Sequence, residues 1–145
     1  MNDTHNYEVN LLWNQNTIGL LSSPVLSSNI EVATPPEFPN GVKDIWTPEH
    51  LFVASVNACL MATFLAIVEN SKMKFISYQS NAIGKVDKID GKYTVTEISI
   101  CPKLVIPSSQ PEDRIRRVFE MSEKACVISN SIKTKIILDP IISII

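Results

Sequence analysis

The sequence predicts a single α+β domain with antiparallel pairing, and three observations carry that prediction. A long apolar segment opens on the helix-start signal Thr47-Pro48-Glu49. Two β-prone runs meet at Asp90-Gly91, a hairpin signal of good specificity. A later segment carries apolar residues at helical spacing. At 145 residues the chain is of one-domain size, and 45% hydrophobic against 19% charged residues is too apolar for intrinsic disorder.

Taken in order, Tyr7 to Trp13 reads as a strand, Asn14-Gln15-Asn16 as a turn, and Thr17 to Ser23 as a second strand. Ile30 to Ala33 makes a short third strand. Thr34 to Trp46 holds Pro35, Pro36, Pro39 and the turn pair Asn40-Gly41, so it reads as a loop. In the helix that follows, Thr47 supplies the cap, Pro48 the first position, and Glu49 an acid where the dipole favours one. The helix is expected to run to about Lys72. It is apolar nearly all round, the mark of a helix central to the core. Leu51 to Val68 carries no charge and stands at the lower edge of bilayer-spanning length. It contains Ser55, Asn57 and Thr63, and is read as a buried core helix. Phe75 to Ile89 and Lys92 to Ile106 are the hairpin strands, and Pro107 to Pro111 breaks the second. A second helix starts at Pro111 or Glu112, with Ile115, Val118, Phe119, Ser122 and Cys126 on one stripe. Lys133 to Leu138 is a last strand, stopped by Pro140. The order is βββ-α-ββ-α-β, with two core helices on antiparallel sheets. The apolar tail Ile141 to Ile145 needs cover, which a partner chain is expected to supply.

Thirteen Lys+Arg against 15 Asp+Glu give a net charge of −2, which argues against a nucleic-acid or anionic-membrane surface. Three cysteines are too few, and odd in number, for a secreted disulfide framework. The start, Met1-Asn2-Asp3-Thr4-His5, lacks the basic and apolar regions of a signal peptide. A soluble cytoplasmic protein is therefore expected.

Most free cysteines are inert core residues, and Cys101, inside a strand run before Pro102, is assigned that role. Cys59 lies midway along the central helix. Cys126 closes the apolar stripe of the second helix, which faces the core. Two cysteines on facing helices can reach the ~5.5–6 Å Cα separation of a disulfide. The pair is then either two buried core thiols or a redox couple, and spacing alone does not choose between them.

Two segments add to this reading. Thr47-Pro48-Glu49-His50-Leu51-Phe52, followed by Ala58-Cys59-Leu60, resembles the helix signature of the OsmC/Ohr family of thiol peroxidases. Lys124-Ala125-Cys126-Val127-Ile128-Ser129-Asn130 resembles that family's second cysteine segment, with Val127 where a proline is common. The element order agrees from about Tyr7 to Pro140, so residues 1–145 are read as one OsmC-like domain. The resemblance implies an intertwined homodimer with Cys59 as the peroxidatic and Cys126 as the resolving cysteine. It implies reduction of an organic hydroperoxide to the alcohol through a Cys59 sulfenic acid and a Cys59–Cys126 disulfide. An external dithiol, for which the family suggests a lipoyl type, restores the thiols, and no bound cofactor or metal is expected.

Glu49 stands ten residues before Cys59, or ~15 Å along a helix axis, too far to touch the thiol of its own chain. The family role of this glutamate, orienting a donor at the thiol, therefore implies active sites shared across a two-fold interface. The alternative is that Glu49 only complements the helix dipole. One departure concerns arginine: peroxidases of the family draw one from the segment before the central helix, and residues 1–48 contain none. Arg114, Arg116 and Arg117 are expected on a solvated face. Lys43 and His50 are the candidates for the missing cation, although lysine lacks the arginine fork. A binding protein for a small apolar or electrophilic ligand is the competing function. A metal site from Cys59, Cys126 and His50 is a third and weaker one, without metal-ligand spacing.

Overall fold

The computed structural model describes residues 3–145. Met1 and Asn2, at the start of the stretch read for a signal peptide, lie outside the described residues. The chain divides into two compact units, one ending at Leu51 and the other running from Phe52 to Ile145.

The first unit is a three-stranded antiparallel sheet of β1 (Asn10–Gln15), β2 (Ile18–Ser22) and β3 (Ile30–Ala33). β1 runs two residues into the expected turn, because a register shift between Trp13 and Gln15 lets the chain reverse at Asn16, whose φ is 49°. The proline-rich loop that follows is folded back on itself. A side chain at Gly41 would overlap the Pro35 carbonyl, so only glycine fits there. Ala33 N–H donates to Trp46 O at 2.8 Å, which leads the chain into α1 (Pro48–Asn70). Thr47 caps that helix as expected: its hydroxyl accepts the His50 N–H at 3.0 Å.

In the second unit β4 (Ser77–Ile89) and β5 (Lys92–Ile106) form a long antiparallel hairpin. Asp90 (φ 49°) and Gly91 (φ 79°) both take positive φ, the type I′ geometry that the dipeptide predicts. α2 (Glu112–Ala125) and the one-turn α3 (Val127–Asn130) then carry the chain back across the sheet. The last strand pairs parallel to β5, as a helical crossover dictates: β6 (Lys135–Leu138) lies beside Glu97–Ile100. The apolar tail, read from sequence as a segment in need of cover and given no element, is a further strand, β7 (Ile141–Ile144), which pairs parallel with Lys103–Ile106. Ile142 packs against the core while Ile141, Ile144 and Ile145 stay 48%, 55% and 75% exposed, so this chain covers only one residue of its own tail. Pro102 sits inside β5 without breaking the sheet, because the neighbouring strand is itself interrupted at Asp139-Pro140 opposite the missing N–H.

Two clusters make the core of this unit. Val56 and Leu60 of α1 pack with Ile98 and Ile100 of β5. Phe64 and Val68 pack with Leu104, Ile106, and Ile115, Val118 and Phe119 of α2. These α1 residues recur every four positions, so one stripe of the helix is buried. The expected core helix is thus buried along one stripe and not on the rest of its apolar surface. Met61 and Leu65, on the other side, are 40% and 37% exposed in the single chain. Cys101 also departs from expectation. Period-two alternation in β5 buries Ile100 and Pro102 and leaves Cys101 half-buried on the outer face, opposite Asn81.

Tyr78 is the one aromatic of the core whose hydroxyl is buried without a hydrogen-bond partner among the described residues. Burial pushes that hydroxyl up to about 12. A phenol raised above its ordinary value of about 10 costs stability once the unfolded chain ionises. Stability is therefore expected to fall as pH rises from about 10 towards 12. Tyr78→Phe removes that loss and adds up to about 1 kcal/mol, because no hydrogen bond is broken. Urea midpoints of both proteins across that range check this; a parallel decline in the variant would refute it.

Candidate active site

Cys59 and Thr63 occupy successive turns of one half-buried stripe of α1, next to the buried stripe of Val56 and Leu60. Cys126 is the extended corner residue between α2 and α3 (φ −67°, ψ 116°) and is fully buried. The corner is rigidly built. The Asn130 N–H donates to Cys126 O at 3.0 Å, and the Asn130 amide group to Lys124 O at 3.0 Å. The Ser131 hydroxyl donates to Val127 O at 2.7 Å. Ile128 and Ile132 pack on Val56, Leu60 and Ile98, which seats the whole corner against α1.

The result brings the two thiols together. The amides that open a helical turn have no acceptor within it, and here the Val127 and Ile128 N–H groups meet the Cys59 sulfur. Burial pushes the Cys59 thiol up, but the Ile128 amide, the Cys126 thiol, the Val127 amide and the Thr63 hydroxyl outweigh it. Cys59 is therefore held below the ordinary thiol range. Cys126 moves the other way. Burial raises it, the Ser129 hydroxyl and amide pull it down, and its hydrogen bond and charge interaction with Cys59 raise it further. The chemical consequence is a division of labour: Cys59 gives up its proton first, and Cys126 remains the thiol that donates to it.

The expected stripe did lead to Cys126, although the residue lies just past the end of α2. Sequence reasoning noted Thr63 only as a polar residue of the helix, and Val127, Ile128 and Ser129 only as part of the segment around Cys126, and gave none of them a role at the Cys59 sulfur. The four-residue spacing from Cys59 is a usable signal for Thr63. Backbone donors such as those of Val127 and Ile128 leave none, since every residue but proline carries an N–H.

Glu49 lies in the first turn of α1, with one carboxylate oxygen buried and unpartnered among the described residues. Neither candidate cation pairs with it. Lys43 is exposed, and His50 is engaged through Nδ1 with the Thr47 hydroxyl at 2.7 Å and edge-on to Trp46. The three arginines are exposed on α2, as expected, with Arg116 Nε on Glu112 at 2.8 Å. Among the described residues no group of three or more His, Cys, Asp or Glu is placed to hold a metal.

A central helix on an antiparallel hairpin, with one thiol at its middle and a second on the following helix corner, defines an α+β protein with a pair of facing thiols. The OsmC-like protein family model matches residues 41–140, and the chain belongs to that family. It is 25% identical over 137 residues to the uncharacterised protein YmaD of Bacillus subtilis (strain 168), covering 92% of this chain and 89% of YmaD. An OsmC-like protein of unknown function from Vibrio cholerae superposes with a TM-score of 0.86 at 23% identity, over 95% of this chain and 100% of that one. An organic hydroperoxide resistance protein from Elizabethkingia anophelis gives 0.71 at 20% identity, over 96% and 97%.

Proposed function

We propose that the chain is a thiol-dependent reductase of organic hydroperoxides, working in the cytoplasm as a homodimer. The observation that carries this reading is the contact between Cys59 and Cys126, with the first thiol favoured as thiolate and the second as thiol. Membership of a family that includes organic hydroperoxide resistance proteins supports it. In the reaction, the Cys59 thiolate attacks the distal oxygen of ROOH and the O–O bond breaks. Cys59 becomes a sulfenic acid, and the released alkoxide takes a proton to leave as ROH. Cys126 then attacks the sulfenic sulfur, a disulfide forms, and water departs. An external dithiol reduces the disulfide by two exchange steps. Apolar surroundings of the Cys59 thiol would favour an alkyl hydroperoxide over hydrogen peroxide as substrate. The uncovered apolar side of α1, with Met61 and Leu65, supports a partner chain. Glu49, with an unpartnered oxygen, would then orient a donor across that interface.

A second reading, a binding protein with little turnover, is favoured by one feature: the donors that lower Cys59 are all uncharged. Consumption of tert-butyl hydroperoxide by the reduced protein with a dithiol, beside Cys59→Ser, separates the two. Turnover in the wild type that vanishes in the variant is expected. Equal, background consumption by both proteins would leave the binding reading in its place.

A further inference from the structure

The uncharged run Leu51 to Val68 of α1 carries Ser55, Asn57 and Thr63 as its polar side chains besides Cys59. Two of them turn back on their own helix: the Ser55 hydroxyl donates to Phe52 O at 2.7 Å and the Thr63 hydroxyl to Cys59 O at 2.8 Å. Asn57 alone reaches off the helix. Its Oδ1 accepts the Ser80 hydroxyl of β4 at 2.7 Å.

This bond lies in a line of contacts along which α1 runs against β4. On one side of it Val53 fits where Gly84 has no side chain, since a Cβ there would overlap a methyl group of the valine. On the other side the Phe64 ring meets Tyr78 at 5.2 Å. Apolar contacts are non-directional and can be exchanged for similar ones if the helix turns or slides. A hydrogen bond holds only within a narrow geometry, so Asn57 and Ser80 fix where the helix sits. Cys59 stands two residues, or ~200°, further round α1. That flank meets the α2–α3 corner, whose Ile128 and Ile132 pack against the cluster of Val56 and Leu60. A turn of the helix by ~20° would carry a side-chain tip ~5 Å from the axis through ~2 Å, about the length of an S–S bond.

We propose that Asn57 and Ser80 are positioning residues for the thiol pair: their hydrogen bond fixes the rotation of α1 on β4 and so keeps Cys59 within disulfide reach of Cys126. The proposal rests on the reading of Cys59 and Cys126 as a redox couple. A polar pair in such a place specifies register more than it adds stability, the use to which a single buried asparagine is put between coiled helices.

The test is the equilibrium of the folded protein with glutathione. The two thiols give two hydrogens to oxidised glutathione, which leaves as two reduced molecules, and the Cys59–Cys126 bond forms. Peptide mass spectrometry counts that disulfide apart from glutathione adducts at Cys101. Ser80→Ala, Asn57→Leu and the double variant are each expected to shift the equilibrium about tenfold towards the dithiol, or about 30 mV for this two-electron couple. Ser80→Thr keeps the hydroxyl and is expected to hold the wild-type value. The double variant replaces both polar groups by apolar ones, so its stability in urea is expected to stay near that of the wild type while the disulfide weakens. An unmoved equilibrium in Ser80→Ala or in the double variant would overturn the role, even if stability fell, because a merely structural bond supports the dithiol and disulfide forms alike. Turnover of tert-butyl hydroperoxide is read separately. A wild type that closes the disulfide with glutathione yet leaves the peroxide intact would sink the proposed function, and the positioning role would still stand or fall on the glutathione equilibrium.

Discussion

Phe64→Ala is expected to destabilise the protein by about 3–5 kcal/mol, the largest cost of any single truncation in the core. Phe64 is fully buried where the two layers of the second unit meet. Its ring stacks on Phe119 at 4.5 Å and meets Tyr78 at 5.2 Å and Phe75 at 5.9 Å. Truncation removes the ring from α1 at the point where α2 and β4 both bear on it. These neighbours are themselves aromatic and rigid, so they collapse poorly into the space left behind, and the cavity adds to the lost transfer free energy. Natural domains hold only about 5–15 kcal/mol in all, so the loss is a large share of the total. Urea unfolding of both proteins at one fixed protein concentration measures it. A cost under about 1 kcal/mol would mean that Phe75 and Tyr78 refill the site and that the stack is not the keystone argued here.

How far such a core can be read from the chain depends on whether the signal is local. The cap at Thr47, the I′ turn at Asp90-Gly91 and the stripe through Ile115, Val118, Phe119 and Ser122 are set by neighbours in sequence, and each is found where expected. β7 was not legible. Ile141–Ile144 has no alternation and follows a proline, and only the gap in pairing beside Pro102 of β5 makes a strand of it. The apolarity of α1 was legible but its burial was not. A helix apolar all round announces that every face wants a neighbour, and a single chain supplies one for Val56, Leu60, Phe64 and Val68 alone. At the site, the meeting of Cys59 and Cys126 followed from two stripes. The donors around the sulfur did not, because backbone N–H groups at the α2–α3 corner exist only once the corner has formed.

The second large effect concerns Cys126, which in the proposed reaction would be a protector as well as a partner. If Cys59 is oxidised by a hydroperoxide, its sulfenic acid forms against a buried thiol already in hydrogen-bonding contact. Condensation then needs no search, and the Ser129 hydroxyl and amide, which favour the Cys126 thiolate, assist the attack. Cys126→Ser keeps the shape of the corner and removes the only second sulfur there. The variant is expected to consume about two to three equivalents of hydroperoxide per chain, one for each oxygen added, and then stop with dithiol-dependent turnover lost, because the sulfenic acid is exposed to further peroxide and climbs to the sulfinic and sulfonic acids. Intact-mass spectra read this directly, as two or three added oxygen atoms at Cys59 in the variant against a loss of two hydrogens in the wild type. The same experiment separates a resolving role from a merely structural one. A Cys126→Ser protein that keeps cycling with the dithiol, with Cys59 recovered as thiol, would show that the external reductant takes the sulfenic acid itself and that the Cys59–Cys126 contact serves only to hold the first thiolate.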